Sequence, residues 1–165
     1  MAADSPQPPA GLAIRDATGA DFESLFETYA AVVAEGGAFP REPPADHRMF
    51  REAWLDRKSA VAVAELEDRF AGSYFIQPSF PGTVISIANA GFMVAPALRG
   101  RGIGRALAEH CIDRARSLGF EAMMFNLVFE RNPSRRLWER LGFEVVGRIP
   151  RALGDEDALV YWREL

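Results

Sequence analysis

The chain has 165 residues, of which 48% are apolar and 25% charged, and 23 acidic against 19 basic side chains leave a formal net charge of −4. That length and composition fit one globular domain with a single core, and the acidic balance argues against a nucleic-acid-binding surface. One cysteine excludes an intramolecular disulfide, and with only two histidines it leaves little for a metal site.

The opening MAADSPQPPA lacks the basic and apolar regions of a signal peptide, and no apolar run reaches the ~18 residues of a membrane span. The expectation is a cytoplasmic protein with a Pro-rich, disordered tail over residues 1–10 and one domain over 11–165. LAIRDA reads as a first strand. In GADFESLFETYAAVVAEG the residues Phe22, Leu25, Phe26, Tyr29, Val32 and Val33 recur at helical spacing, and Gly36 stops the run. AFPREPPA is a loop. DHRMFREAWLD is a shorter helix with Phe50 and Trp54 on one face. SAVAVAELEDRFAGSYFIQP reads as a hairpin turning near Glu67 and Asp68, and SFPGT as the next turn.

VISIANAGFMVAP is then a strand, and RGRGIGRALAEHCIDRARSLG a helix whose buried stripe is Ile103, Leu107, Cys111, Ala115 and Leu118, with Gly119 past its end. FEAMMFNLVF has the near-continuous apolar run of a central strand. NPSRRLWERLG is a helix with Asn132 as N-cap and Pro133 at the first helical position. FEVVGRIP and EDALVYWREL close the chain as strands. This order gives a mixed sheet covered by helices, not a doubly wound parallel one.

The chemistry concentrates at Arg99-Gly-Arg-Gly-Ile-Gly-Arg105, which follows a strand and a Pro96-containing turn and opens a helix. Its glycines alternate strictly, unlike a dinucleotide fingerprint, and it lacks the Gly-Lys-Ser/Thr of a nucleoside triphosphate loop. Successive backbone N–H groups there can converge on a pyrophosphate, aided by the positive helix end and the arginines. A local cluster, Arg99, Arg101, Arg105, Arg131, Arg135, Arg136 and Arg140, on an acidic chain suits a small anionic ligand.

That turn after FMVAP resembles the acetyl-CoA pyrophosphate loop of the GCN5-related N-acetyltransferases (GNAT), and NPSRRLWERLGF resembles the later helix motif of the same superfamily. The resemblance implies an α/β fold: a mixed, mostly antiparallel seven-strand sheet flanked by about four helices and splayed between strands 4 and 5. It implies acetyl-CoA as co-substrate, no metal, and direct transfer to an amine. Arg99, Gly100, Arg101, Gly102, Ile103, Gly104 and Arg105 would hold the pyrophosphate. The backbone of Phe92, Met93 and Val94 would pair with the pantetheine arm, with the Val94 N–H facing the thioester oxygen. Asn132, Ser134 and Trp138 would also touch the cofactor. Relatives often pair as homodimers through the last strand, here ALVYWREL. More narrowly, ANAGFMV, FNLVFERN and GRIPRALGDEDALVY resemble the group around the yeast acetyltransferase that detoxifies proline analogues such as azetidine-2-carboxylate, in which Asn89 and Asn126, with Leu127 beside it, would line the substrate site.

Asn89 and Asn126 also stand out without the family, because asparagine is depleted in strands and each interrupts an apolar one. A carboxamide both donates and accepts, which suits a zwitterionic amino acid; the alternative is an asparagine satisfied at a bulge. Many relatives carry a tyrosine general acid where this chain has Trp138, whose indole N–H has no useful acidity and which reads better as packing. No carboxylate lies on the ANAGFMV strand, so the general base stays unassigned between Glu130, which reads better as a solvated loop acid, and ordered water. Cys111 reads as core, and His47 and His110 as non-catalytic. Two alternatives remain open: the same fold acting on a peptide amine or an antibiotic, and a non-catalytic acyl-CoA-binding module.

Overall fold

The computed structural model describes residues 7–165; residues 1–6, most of the expected disordered tail, lie outside the described residues. The chain runs β1 (Leu12–Asp16), α1 (Phe22–Glu35), α2 (His47–Phe50), β2 (Ala60–Leu66), β3 (Arg69–Pro78), β4 (Ile87–Val94), α3 (Ile103–Ser117), β5 (Ala122–Phe129), α4 (Arg135–Arg140), β6 (Glu144–Leu153) and β7 (Glu156–Glu164). The strands form one sheet in the order β1-β2-β3-β4-β5-β7-β6. Only β4 and β5 run parallel; every other neighbouring pair is antiparallel. This is the mixed seven-strand architecture that the motif order implies.

Local chemistry explains the hairpins and the layers. Glu67 and Asp68 both take positive φ, 52° and 59°, the handedness a two-residue turn needs to match strand twist. α3 lays Ile103, Leu107, Cys111 and Ala115 on one face of the sheet, against Tyr74, Met123, Phe125 and Tyr161. The other face is covered by α1 and α2, where Leu25, Tyr29, Val33, Phe50 and Trp54 pack on Val63 and Met93.

The structure corrects the sequence reading at several points. Leu118 leaves the α3 stripe and is 40% exposed, because it caps the helix instead of continuing it. The segment after α2 widens into a π-type turn, Arg51–Leu55, closed by the Asp56 N–H donating to the Arg51 carbonyl at 2.7 Å. β4 starts at Ile87, and Val84 before it is fully exposed. α4 starts at Arg135 with Ser134 as its N-cap. Asn132 instead makes an Asx turn, its Oδ1 accepting from the Ser134 N–H at 3.0 Å. Arg135, counted in the arginine cluster, is engaged within the fold: its guanidinium donates to the Tyr161 hydroxyl and the Glu130 backbone carbonyl. β7 lies between β5 and β6, so both its edges are occupied within the sheet.

The feature that positions the site is a ladder that stops early. β4 and β5 pair only at Ile87↔Ala122 and Ala88↔Met123. Beyond that the strands part, and β5 bulges between Phe125 and Val128, leaving Asn126 and Leu127 out of register with β7.

Candidate active site

The parted strands open a cleft of about 950 Å³. Its floor is β4. In an antiparallel pair only alternate residues bond their neighbour. The bonded partners of β3 and β4 are fixed by the Ala95 N–H on the Ala71 carbonyl and the Ser79 N–H on the Ile87 carbonyl. Counting along the register from those bonds turns the N–H groups of Ala90, Phe92 and Val94 away from β3, toward the gap that β5 has left. An extended ligand arm laid there meets a strand edge with free donors.

The cofactor end is built by the turn into α3. Gly100 and Gly102 have φ of 76° and 81°, conformations that L side chains rarely adopt. Gly102 is the helix N-cap and brings no side-chain acceptor, and the first intrahelical bond runs from the Ala106 N–H to the Gly102 carbonyl. The N–H groups of the first turn therefore have no intrahelical partner. Gly104 lies over Val94, where a Cβ would meet Cγ2 at 3.7 Å. The Ile103 side chain is fully buried, so only its backbone faces the loop. Arg99 lines the cleft and pairs with Glu35 at 2.7 Å, whereas Arg105 pairs along α3 with Glu109 at 2.8 Å. Gly100, Arg101, Gly102 and Arg105 sit outside the cleft wall itself. These donors, the close backbone approach and Arg99 fit a pyrophosphate.

Asn132, Ser134 and Trp138 line the far wall. Trp138 is 6% exposed and packs on Phe92, Phe125 and Phe143 with ring centroids 5.0, 4.6 and 5.8 Å away. Its Nε1–H donates to the Ser134 Oγ at 3.0 Å. The indole is thus a packing residue with its one donor spent, and the Ser134 hydroxyl keeps its own proton to donate.

At the other end Asn89 and Asn126 meet across the gap, the Asn89 Nδ2 donating to the Asn126 Oδ1 at 3.4 Å. Asn126 sits in the bulge and is exposed, and Leu127 beside it is 38% exposed. Asn89 pairs with Gln77 in the register, on the sheet face that carries Phe75. Two residues on, a Cβ at Gly91 would run into the Phe75 ring. The wall around the pair is aromatic: Tyr29, Phe39, Trp54 and Phe75. Sequence reasoning missed this wall and Arg41 beside it. Tyr29 and Trp54 stood out only by their helical spacing, Phe75 lay within the hairpin segment, and AFPREPPA read as a loop.

Other candidates fall away from the cleft. Glu130 pairs with Arg148 at 2.7 Å. His110 Nδ1 lies 2.8 Å from the Tyr74 hydroxyl, and His47 packs edge-on against Phe22 and Phe26. Cys111 is buried, and burial pushes its thiol up. Among the described residues no group of three His, Cys, Asp or Glu side chains comes together to hold a metal ion. No described helix is long and apolar enough to cross a membrane.

The family model for the acetyltransferase (GNAT) family matches residues 21–143, which include the turn into α3, the parted strands and α4. The chain belongs to the GNAT family. It is similar to N-acetyltransferase aca1 of Schizosaccharomyces pombe, 39% identical over 62% of this chain, and spans about half (52%) of the length of that relative. It is 30% identical to the L-methionine sulfoximine/L-methionine sulfone acetyltransferase of Salmonella typhimurium over 85% of this chain and 84% of that one. Among solved structures, a GNAT protein from Kribbella flavida superposes with a TM-score of 0.87 at 34% identity, covering 94% of this chain and 98% of that one. A phosphinothricin acetyltransferase from Sinorhizobium meliloti in complex with AcCoA superposes with a TM-score of 0.83 at 26% identity over 94% and 89%.

Proposed function

We infer that this GNAT protein is an acetyl-CoA-dependent N-acetyltransferase acting on a small amine, an amino acid or amino-acid analogue of the proline-like kind. The observation that carries the reading is the Asn89–Asn126 pair, set where β4 and β5 part, between a floor of free N–H donors and an aromatic wall. A methionine sulfoximine and sulfone acetyltransferase among the relatives supports an amino-acid acceptor, and the AcCoA complex of a structural neighbour supports the co-substrate.

Acetyl-CoA supplies an activated acetyl group as its thioester. The α3 turn, with Arg99, holds the pyrophosphate; Asn132 and Ser134 flank the arm. The Val94 N–H donates to the thioester oxygen, where negative charge grows as the amine attacks. Asn89 and Asn126 orient the acceptor so that its nitrogen lone pair meets the carbonyl carbon. The new N–C bond forms, the C–S bond breaks, and the sulfur leaves as thiolate without a dedicated acid, since a thiol of pKa near 8.5 is a tolerable leaving group. The ammonium gives one proton to water held in the cleft before attack, and the proton left on the attacking nitrogen passes through the same water to the departed thiolate. Positioning of this kind supplies roughly 7–11 kcal/mol of barrier lowering.

The test is thiol release from acetyl-CoA with azetidine-2-carboxylate, cis-4-hydroxyproline, L-methionine sulfone, polyamines, aminoglycosides and short peptides. Turnover with the amino acids is expected, falling at least about tenfold in kcat/KM for Asn89→Ala and Asn126→Ala with the KM for acetyl-CoA unchanged. Turnover confined to peptides or aminoglycosides would reassign the acceptor, and cofactor binding without any transfer would make the protein an acyl-CoA-binding module.

A further inference from the structure

The acceptor end of the cleft sets a buried phenol beside an exposed guanidinium. Tyr29 is 1% exposed, wedged between Phe39 and Trp54 with ring centroids 5.5 and 6.0 Å away. It lines the cleft, yet its hydroxyl is buried with no hydrogen-bond partner among the described residues. A buried hydroxyl without a partner is costly to keep. The neighbouring group is Arg41, exposed at the cleft wall: burial pushes the Tyr29 phenol up, and the Arg41 guanidinium, by its charge and its close approach to the hydroxyl, pulls it back down. Arg41 is held in the cleft wall by a tight turn, its N–H donating to the Phe39 carbonyl at 2.8 Å.

Of the other charged residues that line the cleft, Arg131 is exposed and, like Arg41, pairs with no carboxylate among the described residues, and the rest are engaged. Glu35 is engaged by Arg99 at 2.7 Å, and Glu156 accepts from the Arg131 backbone N–H at 2.8 Å. Among the described residues no carboxylate pairs with Arg41. A guanidinium fork and a phenolic O–H converging on one wall match the two oxygens of a carboxylate. The remaining surface of that wall, Phe39, Trp54 and Phe75, suits an apolar substituent, and the Phe75 ring already carries the Lys58 ammonium 4.7 Å from its centroid.

Resting on the reading of the protein as an amine acetyltransferase, we propose that Arg41, assisted by the Tyr29 hydroxyl, anchors the α-carboxylate of the acceptor and selects amino acids over amines that lack one. The apolar part of the acceptor lies on the aromatic wall, and its nitrogen is presented at Asn89 and Asn126. Polyamines and aminoglycosides, with many ammonium groups and no carboxylate, meet a repelling guanidinium there.

The experiment compares each acid with its neutral amide, azetidine-2-carboxylate with azetidine-2-carboxamide and L-methionine sulfone with its amide, in the full chain and in Arg41→Ala, Arg41→Lys, Tyr29→Phe and Arg131→Ala. A charge-assisted anchor predicts that Arg41→Ala raises the KM for the acids about 10–100-fold, leaves the amides unchanged, and so erases the preference for acid over amide. Arg41→Lys restores part of it, Tyr29→Phe weakens it a few-fold, and Arg131→Ala leaves it intact. The KM for acetyl-CoA stays constant in the Arg41 and Tyr29 variants. A preference that survives Arg41→Ala, or is lost in Arg131→Ala instead, overturns the proposal. If the parent transfers acetyl to nothing, the functional reading fails on its own, and calorimetric titration of L-methionine sulfone into CoA-saturated protein decides the anchor. Binding lost in Arg41→Ala supports it, and no binding by the parent overturns it.

Discussion

The surroundings of Trp138 fix what a substitution there does. The indole is surrounded by Phe92, Phe125 and Phe143 and gives its N–H to Ser134. Trp138→Phe removes buried ring area and one hydrogen bond, so unfolding by urea should show a loss of about 1–3 kcal/mol. The pH profile of kcat should keep its shape, because no proton donor to the thiolate is removed; a lost alkaline or acidic limb would give Trp138 a catalytic part. Gly91 makes a second case. A Cβ there collides with the Phe75 ring, so Gly91→Ala should raise the acceptor KM while sparing the acetyl-CoA KM, as steady-state kinetics would show. Asn89 and Asn126 were legible in the sequence because a carboxamide is out of place in an apolar strand. Arg41 and Tyr29 were not, since nothing local marks a loop arginine or a helical tyrosine as partners; only the packing of α1 and its loop on the sheet brings them to one wall.

Among the elements, the turn into α3 was the clearest from sequence, because glycine at fixed spacing before a helix has a stereochemical meaning that survives any tertiary context. Gly102→Ala forces an L side chain into φ of 81°, which should cost about 1 kcal/mol or more and weaken acetyl-CoA binding together, read by thermal unfolding and by titration. The ion pair between the end of α1 and this turn makes a sharper prediction. Both side chains are near half exposed, 46% for Arg99 and 43% for Glu35, so the pair itself is worth at most about 1 kcal/mol. Glu35→Gln releases Arg99 to the pyrophosphate and removes a negative charge beside it, and should tighten acetyl-CoA about 2–5-fold by calorimetry. Weaker binding in that variant would show that Glu35 positions Arg99 instead of competing for it. The start of α4 was misread for a physical reason: Asn132 offers the same carboxamide oxygen to an Asx turn as to an N-cap, and Pro133 is compatible with both.

Across the molecule, a mixed sheet covered by helices followed from the alternation of elements, and its splay between strands 4 and 5 from the family resemblance, whereas the strand order and the residues at which β4 and β5 part are visible only in the structure. Away from the cleft, Arg15 joins β1 to the following turn and to β2 by pairing with Asp21 at 2.7 Å and with Glu65. Arg15 and the Thr18 N–H hold the Asp21 carboxyl down at about 2, from an ordinary 3.8. A folded pKa below the unfolded one means this contribution is present above about pH 4 and disappears as pH falls toward 2. Asp21→Asn should therefore melt lower than the parent at pH 7 and nearly level with it at pH 2, as circular dichroism melts at the two pH values would report. The two walls of the cleft also differ in a way that light can follow. Trp54 sits on the aromatic acceptor wall, Trp138 on the wall beside Asn132 and Ser134, and Trp162 on β7 outside the cleft lining. The protein thus holds a separate intrinsic fluorophore at each end of its cleft. In a Trp54→Phe background a change in emission on adding coenzyme A reports one wall, and in Trp138→Phe a change on adding acceptor reports the other, so the order in which the two ligands arrive is readable without a label.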